Sequence, residues 1–173
     1  MQTDLTLHRH AEEASGRPLV DAFVAMTPDE RWVDRAPAEM LSTFPWFAGE
    51  GHDLLLDEVR AMPDGGIVLV EGFRLLPDLV APLLGAGGRA VWLLPTPARR
   101  ADAFDGREAE GRAFWQGTSD PARALANLLE RDRLFTDRLR LDAERLGLPV
   151  VLVDAREGVE AVADRVERLL GLA

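Results

Sequence analysis

Glu71 and Arg74 are the residues with the clearest chemical use. They follow directly on Ile67, Val68, Leu69 and Val70, an uncharged and largely β-branched run that begins after Gly66. Such a run predicts a strand over 67–70 buried on both faces. In open α/β sheets, ligands lie beyond the carboxyl ends of strands of this kind. Two further apolar runs end in polar groups: 90–94 leads to Thr96, and 150–153 leads to Asp154 and Arg156. Between them lie Arg107, Arg112, Arg131 and Arg133. A carboxylate at a strand end, with arginines converging on it, suits phosphoryl transfer. The carboxylate binds Mg²⁺ through water or accepts a hydroxyl proton, and the arginines neutralise charge on the transferred group.

Helices must position these groups. Thr27-Pro28-Asp29-Glu30 is a capping box with proline at the first helical position, so a helix starts there. Residues 8–14 and 37–41 read as helical. Residues 3–7 read as a short strand or a helix entry. Leu54, Leu55, Val59 and Met62 mark another helix, followed by a turn at 63–66. Pro77 opens a short helix, and Thr96-Pro97 caps the next. The glycine-dotted, polar stretch 102–119 reads as a mobile excursion, lid-like over 100–120. Asp120-Pro121 starts the longest helix, whose buried stripe is Leu128, Phe135, Leu139 and Leu146 and which Gly147 ends. Val159, Val162, Val166 and Leu169 mark a final amphipathic helix. Strands alternating with helices imply a parallel sheet with right-handed crossovers.

Composition narrows the function. A chain of 173 residues, 47% apolar, fits one globular domain over 1–173. A net charge of −10 opposes nucleic acid or an anionic membrane as the main partner. Without cysteine there is no disulfide, thiolate zinc site or cysteine nucleophile. Three histidines (His8, His10, His52) are too few and too scattered for a His-rich metal site. All 20 basic residues are arginine, which removes every mechanism that needs lysine. No signal peptide or membrane span is read, and a cytoplasmic location is expected.

The order of elements, with Leu69-Val70-Glu71-Gly72-Phe73-Arg74, resembles the C-terminal two-thirds of a P-loop kinase of the nucleoside- and nucleotide-kinase type. That resemblance implies a three-layer αβα fold with a mostly parallel sheet. It implies ATP and Mg²⁺ as cofactors, and a nucleotide and a small-molecule acceptor as partners. It gives Glu71 the Mg²⁺-linked or general-base role, Arg131 and Arg133 the transferred phosphoryl group, and Asp154 with Arg156 the adenine loop. Asp4 and Arg74 then hold the acceptor, with the region from His8 to His52 around it. In adenylate-kinase-like members a proline precedes the arginine, whereas Arg74 directly follows Phe73.

The family's opening strand and G-x-x-x-x-G-K-[ST] loop have no counterpart here. The pattern begins abruptly at what resembles the family's second strand. An N-terminally truncated kinase is therefore the first expectation, and a lineage that dropped the loop is the second. A non-catalytic binding protein on the same scaffold is the alternative. Its open sheet edge would be covered by a partner or by a second copy in a homodimer. A transferase of the sulfotransferase type is a third reading. Plainer roles stand beside the chemical ones. Glu71 caps the following turn or pairs with Arg74, Arg131 and Arg133 form solvated helical pairs, and Asp154 simply ends its strand. Trp32, Phe44, Trp46 and Phe47 read as packing residues rather than a base-stacking platform.

Overall fold

The computed structural model describes residues 1–14, 16–62 and 66–172, so the turn read at 63–66 falls, but for Gly66, outside the described residues. Ten α-helices and two strands form among them. A 3-10 turn, Thr3–Thr6, leads into α1 (Leu7–Glu13), α2 (Pro18–Ala25), α3 (Pro28–Trp32), α4 (Pro37–Thr43), α5 (Pro45–Ala48) and α6 (His52–Arg60). After an extended stretch come α7 (Pro77–Val80), a 3-10 segment (Ala81–Ala86), β1 (Trp92–Pro95) and α8 (Pro97–Ala109). The chain closes with a 3-10 turn (Phe114–Gly117), α9 (Pro121–Arg145), β2 (Val150–Val153) and α10 (Val159–Leu170). Five of the helices before β1 carry proline at their first turn, where its missing N–H costs nothing.

The expected three-layer αβα sheet is not what forms. Helix accounts for 64% of the chain and strand for 6%, in one parallel pair of β1 with β2. The reason lies in the run 67–70. It forms no strand: Leu69 O accepts from the Met1 amino group, and just beyond the run Glu71 makes an isolated parallel bridge with Gln2. Ile67, Val68 and Leu69 are exposed where a doubly buried strand was expected. Residues 3–6, read as a strand or a helix entry, take the second form. The stretch 100–120 is not irregular either: it holds most of α8 and the 3-10 turn, with Phe104 and Trp115 fully buried. The Thr96 cap and a run of good helix formers outweigh the single glycine at 106.

The 25-residue α9 is the spine. Phe135, Leu139 and Ala143 pack with Phe47, Leu76, Trp92 and Leu94 in one core. Ala124 and Leu128 pack with Val33, Met40, Phe104 and Trp115 in a second. A third, of Ala14, Val20 and Trp46, lies beneath the N-terminal helices. No helix among the described residues is long and apolar enough to cross a membrane.

Candidate functional site

Asp4 is brought to Glu71 and Arg74, distant from it in the chain, where the stretch before Gly72 meets the N-terminus. The Thr3 N–H donates to Glu71 O at 2.8 Å and the Glu71 N–H to Met1 O at 2.9 Å. Gly72 permits this approach. Its φ is +139°, and a Cβ there would lie 1.7 Å from Thr3 Oγ1 and 2.9 Å from Asp4 Oδ1. The turn after it delivers Phe73 to the core and Arg74 beneath the site.

Arg74 is 3% exposed. Its Nη2 donates to Gly51 O at 3.1 Å, its Nη1 lies 2.8 Å from His10 Nδ1 and 3.3 Å from Thr6 Oγ1, and its guanidinium stacks over Trp46 at 4.5 Å. Arginine only donates, so His10 Nδ1 must accept. His10, fully buried, then carries its proton on Nε2, which donates to Glu58 Oε1 at 3.0 Å. Arg9 also pairs with Glu58. Burial, followed by the charges of Arg74 and Arg9, lowers the His10 pKa. Burial, and then Arg74, likewise lowers that of His52, whose ring nitrogens have no hydrogen-bond partner among the described residues. Loss of solvation is also the largest influence on Asp4, and raises its pKa against the hydrogen bond from Thr3; the charge of Glu71 adds to the rise and that of Arg74 opposes it.

The remaining expected residues lie elsewhere. Arg131 is buried, bound to Asp132 Oδ1 at 2.6 Å, with its guanidinium 5.2–5.4 Å from the rings of Trp32, Phe44 and Phe47. Arg100 approaches Asp132 at 3.6 Å. Arg133 is on the exposed face of α9, held by Glu130 and Asp137 at 2.7 Å each. It borders a cleft of about 480 Å³ between α8 and α9, floored by Leu129 and Leu152. Asp154 turns into its own loop: its Oδ1 accepts from the Arg156 N–H at 3.1 Å, and its N–H donates to Glu157 Oε2 at 3.0 Å. Arg107 lies over Phe104, and Arg112 pairs with Glu110.

Glu58, Asp132 and Arg100 carry no signal in the sequence, and His10 stands there only as one of three scattered histidines. No spacing ties His10 to Arg74 across 64 positions. Asp132 beside Arg131 was visible, but adjacent residues on a helix ordinarily diverge.

The resemblance implies ATP and Mg²⁺, and the residues present do not fit them. The loop expected to cradle adenine satisfies its own polar groups, Arg131 and Arg133 are tied to carboxylates, and no lysine exists to hold phosphates. What the arrangement offers chemically is narrower: two neighbouring carboxylates, Asp4 and Glu71, above a buried arginine. They can accept hydrogen bonds, or a proton, from hydroxyl groups. No family model, curated protein or solved structure matches the chain.

Proposed function

We propose that this chain binds a small hydroxyl-bearing molecule at Asp4 and Glu71 and serves as the acceptor side of a phosphotransferase. The observation that supports this reading is the backbone pairing that sets Asp4 beside Glu71, close enough for Asp4 to feel the charges of Glu71 and of the buried Arg74, which His10, Gly51 and Trp46 hold. In this role the two carboxylates, both exposed, accept hydrogen bonds from the molecule's hydroxyl groups and orient them. Arg74 acts by holding Gly51 and Thr6 in place and by its charge, since its Nη groups donate to them and to His10.

The test is calorimetric titration with a panel of nucleosides, sugars and aminoglycosides, on the wild type and on Glu71→Gln. At least one class should bind, and Glu71→Gln should weaken it roughly tenfold or more, the worth of one hydrogen bond to a charged group. No heat from any class up to millimolar concentration, with the protein folded, rejects the reading.

A second reading, of a protein whose work is to hold a partner, draws on a different observation: the exposed apolar stretch 67–69.

A further inference from the structure

The cleft between α8 and α9 shares no lining residue with the acceptor site. It opens beyond the carboxyl end of β1, where Pro95 and Thr96 line it. Ligands of parallel sheets collect at that end of the strands. At about 480 Å³ the cleft falls within the range of small-molecule sites, roughly 300–1,000 Å³. Ala101, Ala126, Leu129 and Leu152 give it apolar walls, and Leu152 is half exposed although it belongs to the sheet.

The charges along the cleft are unevenly matched. At the rim Arg133 is held by Glu130 and Asp137, and Arg140 by Glu144. Asp132, whose side chain is only 10% exposed, marks the inner end. There Arg131 takes Asp132 Oδ1 through Nε and Nη2, at 3.0 and 2.6 Å. Arg100 is left with less. Its Nη1 stops 3.6 Å from Asp132 Oδ2, beyond hydrogen-bond reach, and its Nε is shut from solvent with no acceptor among the described residues. Two arginines therefore share one carboxylate, which leaves one positive charge over. Burial lowers the Arg100 pKa; Asp132 opposes this, and the charges of Arg107 and Arg131 add to it.

We propose that the cleft binds a small apolar monocarboxylic acid, with its carboxylate on Arg100 and its hydrocarbon body over Leu129 and Leu152. A carboxylate fits the planar guanidinium fork and supplies the acceptors that Arg100 lacks. Its single charge equals the local surplus. A phosphate dianion exceeds that surplus, and Glu130, Asp132 and Asp137, which also line the cleft, repel the excess. A cationic ligand meets an inner carboxylate already set between two arginines. Covering the exposed part of Leu152 removes apolar surface from water and adds to the affinity. This inference does not rest on the acceptor reading and survives its failure.

The test is titration of the full chain with octanoate and phenylpropanoate, followed by calorimetry and amide NMR. The amide of each acid, octylamine and inorganic phosphate are the comparisons. At least one acid should bind at submillimolar concentration and shift the Ala101 and Leu129 amide resonances. Its amide, octylamine and phosphate should each bind roughly tenfold more weakly or worse, the worth of a hydrogen bond to a charged group. Arg100→Met should weaken the acid by a similar factor. Ala126→Trp, at an exposed position of α9, fills the cleft and should abolish binding; it keeps the test intact if Arg100→Met does not fold. Glu71→Gln should leave the affinity for the acid unchanged, which separates this cleft from the acceptor site. Neither heat nor shifts from both acids at millimolar concentration, with the protein folded, overturns the proposal. Equal affinity for the acid and its amide, or for the acid and phosphate, also overturns it. So does affinity that survives in a folded Arg100→Met or Ala126→Trp variant, or that is lost in Glu71→Gln.

Discussion

Replacing Arg74 by methionine keeps most of the side-chain volume and removes the charge around which the N-terminal region is assembled. Three acceptors lose their donor: His10 Nδ1, Gly51 O and Thr6 Oγ1. A buried acceptor left unsatisfied costs about 1–3 kcal/mol. The stacking over Trp46 adds about 0.5–2 kcal/mol. Against this, the desolvation of a buried guanidinium is no longer incurred, and Thr6 can turn to water. The net loss expected is about 2–4 kcal/mol. At roughly 2–4 °C per kcal/mol for a domain of this size, Tm should fall by about 5–15 °C. Thermal and urea unfolding, followed by circular dichroism and Trp fluorescence, measure it. Arg74→Lys keeps the charge but not the planar fork, and should recover only part of the loss. The imidazole of His10 gives an independent readout by NMR. With the Arg74 charge gone, its pKa should rise toward the ordinary histidine value. A change in Tm under 2 °C refutes the network as described. A large loss of Tm with the His10 titration unmoved shows that Arg74 acts by packing alone.

Three further outcomes are expected. His10 and His52 have lowered pKa values in the fold. The unfolded chain therefore binds more protons below about pH 6.5, and stability is full above that pH and declines as the pH falls. The urea midpoint at pH 5.5 should lie below that at pH 7.5, and His10→Asn with His52→Asn should flatten the difference; a midpoint indifferent to pH would contradict the buried-imidazole assignment. Gly72→Ala forces a Cβ against Thr3 and Asp4 at a left-handed φ, and should cost more than about 1 kcal/mol while exposing Met1–Thr3 to faster exchange; stability equal to the wild type would show that the N-terminal pairing is not held there. Thr27→Ala removes the capping box, in which the Glu30 N–H donates to Thr27 Oγ1 at 3.3 Å and the Thr27 N–H to Glu30 Oε2 at 2.7 Å. It should lower stability by about 1 kcal/mol in chemical denaturation, and no change would mean that the contacts of α3 with α9 fix that turn unaided.

What could be read from the chain is local, and what could not is relational. Thr27 to Glu30 and Asp120-Pro121 state helix starts in their own side chains, and both starts are found, as is the strand Val150–Val153. The end of α9 was equally visible in Gly147. The run from Ile67 to Val70 looks the same whether its neighbours exist or not. Burial on both faces is supplied by other elements, and four apolar residues cannot report their absence. The site divides in the same way. Glu71 and Asp4 were legible as carboxylates near an arginine, but the support beneath that arginine comes from His10 and Glu58, which no sequence interval connects to it. Arg131 illustrates the converse. A cation on a helix suggested a free hand for phosphate, and three aromatic rings with Asp132 enclose it instead.

The three cores do not share one backbone. α9 runs through the first two, with Phe135, Leu139 and Ala143 in one and Ala124 and Leu128 in the other, so neither can open without breaking the same helix. The third, around Ala14, Val20 and Trp46, draws nothing from α9. Each core contains a buried indole: Trp92, Trp115 and Trp46. The protein thus carries its own set of optical reporters on cooperativity. Trp92 and Trp115 should trace a single transition, while Trp46 registers a partial opening that detaches the N-terminal helices from a spine that stays folded.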